Sequence, residues 1–251
     1  MSRQCSVCGG TGFELHQNDV GVLTSVRCAC KRLDPVERLE RVANIPQRYA
    51  HCTFDEGDQK GEFRVHTSSQ KNALRLSRQW VEGFLSSDEP DLLLKGPPGC
   101  GKTHLAVAAA RQLMTDKKVN VRFYDQRALL KALQRTFETG ASLQESDVLR
   151  PVLDCELLIL DDLGAGRTTE WAKDVLHDVI THRYNERKHL LVTTNIPMGD
   201  GPERRRPRAV DAPLTLTDRL GDALISRLRE MCRIVEIEGP DARRDITSQH
   251  Y

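Results

Sequence analysis

Apolar positions mark out a regular alternation of elements along most of the chain. Over residues 71–84 they fall at Ala73, Leu74, Leu76, Trp80, Val81 and Phe84, a helical spacing. Residues 91–95 place three leucines in a row between Pro90 and Gly96, which predicts a short buried strand. An alanine-rich apolar helix is predicted over 104–114, a strand over 119–124 and a helix over 127–137. The run Leu157-Leu158-Ile159-Leu160 is apolar on both faces, as a central parallel strand must be. A helix over 171–187 and a strand over 189–193 continue the rhythm. Strands that alternate with helices predict an α/β layer fold with a parallel sheet flanked by helices. Residues 198–213 break the pattern with three prolines, two glycines and Arg204-Arg205-Arg206, and read as a loop. One helix over 215–231 and a half-exposed strand over 233–238 are expected after it.

The first part of the chain has a different texture. Residues 1–33 are rich in Cys and Gly, and residues 34–54 are charged and helix-like as far as Ile45-Pro46, where proline ends any helix. The expected organisation is a Cys-rich module over 1–33, a helical linker leading into the core over 34–62, and the core itself over 63–251. A chain of 251 residues can bury one good core with room for a small attachment. A formal net charge of +1 excludes bulk electrostatic attraction to nucleic acid, so any such binding must come from local basic patches. No apolar run approaches membrane-spanning length and none resembles a signal peptide, so a cytoplasmic protein with no membrane partner is expected.

Chemistry concentrates at the ends of the predicted strands. Gly96-Pro97-Pro98-Gly99-Cys100-Gly101-Lys102-Thr103 fits G-x-x-x-x-G-K-[ST] in full, between a buried strand and an apolar helix. Glycines let the backbone curl so that N–H groups point inward around phosphates, and the next helix adds its positive end. Lys102 is expected on the β- and γ-phosphates of ATP, and Thr103 on magnesium (Mg2+). The third strand ends in Asp161-Asp162, with Asp161 expected to hold magnesium and Asp162 to polarise the attacking water. Paired acids after a strand can also be turn residues or caps; a phosphate loop beside them favours the catalytic reading. Asn195 ends the next strand and can donate to a γ-phosphate oxygen or position the water.

Of eight cysteines, Cys5, Cys8, Cys28 and Cys30 crowd the first thirty residues, as C-x-x-C followed by C-x-C. Four thiolates in two knuckles favour structural zinc (Zn2+), with His16 a possible substitute ligand. A segment so short could scarcely fold without such a staple. Cys52, Cys100, Cys155 and Cys232 are scattered and read as core or loop residues.

Together the phosphate loop, Leu-Leu-Ile-Leu-Asp-Asp-Leu-Gly and Thr-Thr-Asn resemble the AAA+ ATPases, and more narrowly the DnaC/DnaI-type replicative helicase loaders and the IstB-type transposition ATPases. Ala43-Asn44-Ile45-Pro46-Gln47-Arg48-Tyr49 with Thr53-Phe54-Asp55, the helix over 219–231 and Gly239-Pro240-Asp241-Ala242-Arg243 carry the same resemblance. It implies that Arg227 is a finger reaching into a neighbouring subunit's ATP, with Arg219, Arg229 and Arg244 as rivals. It implies that Arg243 is a second sensor within its own chain. The implied function is ATP-dependent loading of a hexameric replicative helicase, with single-stranded DNA as a further partner and self-assembly through the ATP sites. Arg122, Arg127, Lys131, Arg135 and the basic run from Arg204 to Arg208 are the candidate DNA contacts. A Cys-rich zinc module at this end also resembles the DnaI-type loaders, where it meets the helicase. An IstB-type regulator of a transposase on duplex DNA is the alternative; a small-molecule kinase has no use for a trans arginine. Asp162 is one methylene shorter than the glutamate of many AAA+ members, which predicts slow basal hydrolysis.

Overall fold

The computed structural model describes residues 13–17, 23–28, 35–84, 86, 89–137, 144–166, 169–199 and 213–242. The chain divides into two compact units, Met1–Arg41 and Val42–Tyr251. In the first, β1 (Phe13–Gln17) and β2 (Leu23–Arg27) pair as an antiparallel hairpin with Phe13 opposite Arg27. Helix α1 (Pro35–Val42) opens with proline at its first position, where no N–H is required.

The second unit is built on a five-stranded, wholly parallel sheet. Its strands are β3 (Asp91–Lys95), β4 (Val121–Asp125), β5 (Leu157–Asp161), β6 (His189–Thr194) and β7 (Cys232–Glu236), in the order β4-β5-β6-β3-β7. Both faces are covered, which is why the central strands read as unbroken apolar runs. On one face Leu92, Leu94, Leu157 and Ile159 meet α2 (Ser68–Gly83) and α3 (Lys102–Asp116). On the other, Leu93, Leu158, Leu160 and Val192 meet α4 (Gln126–Thr136), α5 (Glu145–Asp154), α6 (Glu170–Asn185), α7 (Leu216–Leu220) and α8 (Asp222–Met231). The α/β architecture expected from periodicity is therefore present. Residues 43–63 belong to the same core, through Ala43, Ile45, Cys52, Phe54 and Phe63. The Phe123 N–H donates to Ala43 O at 2.7 Å, so this lead-in extends hydrogen bonding beyond the edge strand β4.

Two local differences have physical causes. The single helix expected over 215–231 is two, because the backbone leaves helical geometry at Gly221 (φ 89°, ψ 156°). Helix α5 was not expected; it carries Pro151 in its interior, which removes one amide donor and masks its helical signal.

Arg183 on α6 is completely buried and binds carbonyls. It donates to Val152 O (3.0 Å), Cys155 O (3.1 Å), Glu156 O (2.9 Å) and His189 O (2.6 Å), joining the end of α5 to the starts of β5 and β6. Arg183→Met orphans these acceptors and should cost about 3 kcal/mol. The expected fall in melting temperature is about 6–12 °C by thermal denaturation for a chain of this size.

Candidate functional site

Placing β6 between β3 and β5 brings three strand ends together. The loop after β3 takes up from the sheet directly, with the Gly96 N–H donating to Thr194 O at 3.2 Å. Gly99 (φ 79°) and Gly101 (φ 105°) are both left-handed. A Cβ on Gly101 would stand 2.4 Å from the Phe63 ring, and one on Gly99 would stand 1.7 Å from the Asp241 carboxylate. Only glycine fits either position. Gln70, buried at the start of α2, donates to Cys100 O at 3.1 Å, and the Ala242 N–H donates to Gly99 O at 3.3 Å. The curl is thus held from α2, from the lead-in and from the segment after β7.

Lys102 is the first residue of α3 and is buried. Its ammonium donates to Gly96 O at 2.9 Å and Pro97 O at 2.8 Å, within the turn of the loop. Burial pushes its pKa down, and Cys100, Asp162 and Asp161 push it back up. Thr103 Oγ1 donates to Asp161 Oδ1 at 2.8 Å, and Thr193 Oγ1 donates to the same oxygen at 2.6 Å. Asp162 has a left-handed backbone (φ 55°); its N–H donates to Thr193 Oγ1 at 3.0 Å and its carboxylate accepts from Asn195 Nδ2 at 3.3 Å. Lys102, Thr103, Asp161, Asp162 and Asn195, read separately from three strand ends, lie in one cluster. A cavity of about 430 Å³ opens beside it, bordered by Tyr49, Phe63, Thr103, His104, Asp162 and Asn195.

Asp161 is only 4% exposed. Burial raises its pKa, the Thr193 and Thr103 hydroxyls lower it, and the charges of Asp162 and Asp125 raise it again. A carboxyl raised on folding carries no penalty in acid, when folded and unfolded forms are both protonated. The penalty grows as pH rises through the ordinary carboxylate range to the raised native value, and is full above it. Asp161→Asn should therefore melt above wild type at neutral pH in nucleotide-free, chelator-treated protein. The difference should close as the pH is lowered, by thermal denaturation across pH.

Sequence reasoning missed several residues here. Asp125 at the end of β4 has a carboxylate oxygen within 4.8 Å of those of Asp161 and Asp162. It falls between the strand and helix expected around it, and its legible signal is an acid at a strand end followed by a helix. Tyr49, on a 3-10 turn (Gln47–Tyr49), stacks under the Arg48 guanidinium at 4.5 Å. His104 Nε2 lies 2.7 Å from Thr53 O, which can only accept, so Nε2 carries the proton; burial lowers this histidine's pKa.

The arginines sort by what they bind. Arg219 donates to Gly164 O at 2.8 Å and Gly166 O at 3.0 Å, and Arg229 to Gly199 O at 2.6 Å, so both brace loops. Among the described residues Arg227 on α8 reaches only its own Ala223 O and the His177 ring, each at 3.3 Å, and it is not among those bordering the cavity. Arg243, Arg244, the basic run from Arg204 to Arg208, Cys5, Cys8 and Cys30 lie outside the described residues. Cys28 is buried, as are Cys52, Cys100, Cys155 and Cys232. No described helix is long and apolar enough to cross a membrane.

A parallel sheet in this order, with the phosphate loop on β3, the acidic pair on β5 and a polar strand end between them, defines a P-loop protein of the AAA+ type. Residues 35–250 match the family of IstB-like ATP binding proteins, and the chain belongs to that family. It is 26% identical over 219 residues to the replicative helicase loader DnaC of Escherichia coli (strain K12), covering 85% of this chain and 83% of that one. It is 27% identical over 231 residues to the phage-like element PBSX protein XkdC of Bacillus subtilis (strain 168), covering 88% of this chain and 76% of XkdC. The crystal structure of the DnaC helicase loader superposes with a TM-score of 0.61 at 30% identity, over 77% of this chain and 100% of that one.

Proposed function

We propose that this protein is an ATP-dependent loader of a replicative DNA helicase, which binds ATP with magnesium and hydrolyses it slowly as a switch in the cytoplasm during DNA replication. The observation that carries this reading is the meeting of Lys102, Thr103, Asp161, Asp162 and Asn195 at one loop, in a chain similar to DnaC over most of its length. The curled loop offers backbone N–H groups to a phosphate chain, and the Lys102 ammonium inside it can turn from carbonyl oxygens to β- and γ-phosphate oxygens. Thr103 and Asp161 supply only oxygen donors, as a hard cation requires, and would hold magnesium, which when bound neutralises phosphate charge. Asp162 orients the attacking water and Asn195 steadies Asp162 and that water. Arg227, left without a loop to brace, reaches across an assembly to the neighbouring ATP, and Arg243 serves the chain's own site.

Single-stranded DNA fits the outer side of α4. Leu129 and Leu133 face the core, while Arg127, Lys131 and Arg135 are exposed. Phe137, 62% exposed at the end of this helix, stands edge-on to Trp171 at 6.3 Å, an aromatic surface on which bases can stack. Arg122 instead donates to the carbonyls of Val42 and Val121. Binding through the exposed cations should weaken steeply with salt.

The hairpin supports zinc in the first unit. Its register sets the start of β1 beside the end of β2, and the two cysteine pairs flank those ends in sequence. Metal analysis of anaerobically prepared protein should find about one zinc per chain, and protein without zinc contradicts this assignment.

The test of the main reading is affinity capture from the native host with ATP present and Lys102→Ala as control. Recovery of a hexameric helicase in an ATP-dependent manner supports it. Recovery of a transposase instead overturns it in favour of the IstB-type regulator, which the family membership also accommodates.

A further inference from the structure

Asp125 carries a charge that the phosphate chemistry above leaves unused. It is the last residue of β4 and stands in register with Asp161 on β5. Its carboxylate does two things at once. It caps α4, accepting the Ala128 N–H at 3.0 Å, and it closes a triangle of acids with Asp161 and Asp162 in which ligand oxygens lie within 4.8 Å of one another. The next two residues are tied to the same corner. Gln126, 1% exposed, accepts the Gly164 N–H at 2.6 Å, and the Arg127 guanidinium lies against Gly166. The first turn of α4 is therefore anchored at Gln126 and Arg127 to the loop that leaves β5, directly after the strand register that sets Asp125 beside Asp161. The far end of the same helix leads to exposed Phe137.

Three like charges in this space repel one another, and the positive end of α4 draws Asp125 away from the other two. A divalent cation beside Asp161 would draw it back. An N-cap is a weak hold, worth roughly a fivefold change in the population of the helix end. A doubly charged ion nearby is a competitor of at least that strength.

We propose that Asp125 is a positioning residue that transmits cation occupancy of the phosphate site to α4, loosening its hold on the Ala128 amide when a divalent cation sits beside Asp161. The inference rests on the reading of the site as one for ATP with magnesium. First-turn amides have no acceptor within their own helix, so exchange at Ala128 reads the cap directly.

The experiment is amide hydrogen exchange by NMR on the full chain bound to a non-hydrolysable ATP analogue, with magnesium or with chelator. Magnesium should speed exchange at Ala128 roughly fivefold in wild type. Asp125→Asn keeps the capping oxygen without the charge; it should still bind the analogue and show no response to magnesium at Ala128. Asp125→Ala should exchange fast in both conditions. Analogue-bound wild type whose Ala128 exchange is unchanged or slowed by magnesium overturns the proposal, as does an Asp125→Asn variant that responds like wild type. If wild type binds no analogue at all, the ATP reading of the site fails first and the inference falls with it.

Discussion

Lys102→Ala should lower ATP turnover by about 10²–10³-fold, because it removes the one ammonium placed inside the phosphate loop. The loss should not come from unfolding. Burial disfavours the charged form of Lys102, so its removal relieves a desolvation cost in the nucleotide-free protein, and its acceptors sit on half-buried Gly96 and exposed Pro97, where water can replace it, unlike the buried partners of Arg183. Two measurements separate the effects. Phosphate release should collapse while the nucleotide-free melting temperature stays at or above wild type, and the rise in melting temperature on adding ATP with magnesium should disappear. A variant that melts well below wild type without nucleotide would place the role of Lys102 in folding.

Arg227→Ala should cost about 10³-fold or more in the turnover of the assembled protein, the range known for arginine fingers, with little change in ATP affinity. Under the proposed function the finger is Arg227, as the resemblance to AAA+ ATPases implies, and the contacts among the described residues agree with it. Arg219 and Arg229 are committed to loop carbonyls, whereas Arg227 contacts only a histidine ring and one carbonyl of its own helix. A finger acting in trans makes a further demand. Asp162→Asn and Arg227→Ala proteins, each inactive alone, should recover about a quarter of wild-type turnover when mixed in equal amounts, because heterologous contacts then pair intact Asp162 with intact Arg227. Mixtures that stay inactive would place Arg227 on its own chain's site.

The phosphate loop and the central strands were legible because physics leaves them few alternatives. Gly99 and Gly101 have no room for a side chain, and β3 and β5 are buried on both faces. Strand order was not legible, since nothing local in residues 189–194 says that they insert between β3 and β5. That insertion is what brings Asn195 to Asp162. Asp125 stayed hidden for the same reason, as its proximity to Asp161 follows from parallel register rather than from spacing along the chain. Helix α5 was lost to Pro151, which reads as a helix end although the helix runs through it, and the break between α7 and α8 to Gly221, where the backbone leaves helical geometry while the apolar period around it persists.

Calorimetric titration of the purified chain with a non-hydrolysable ATP analogue, with and without magnesium, tests most directly whether the phosphate loop binds ATP. Saturable binding that tightens when the ion is added is the expected result. Heat traces that stay flat for every adenine nucleotide with magnesium present would mean that the curled loop, the buried ammonium and the acidic corner serve some other purpose.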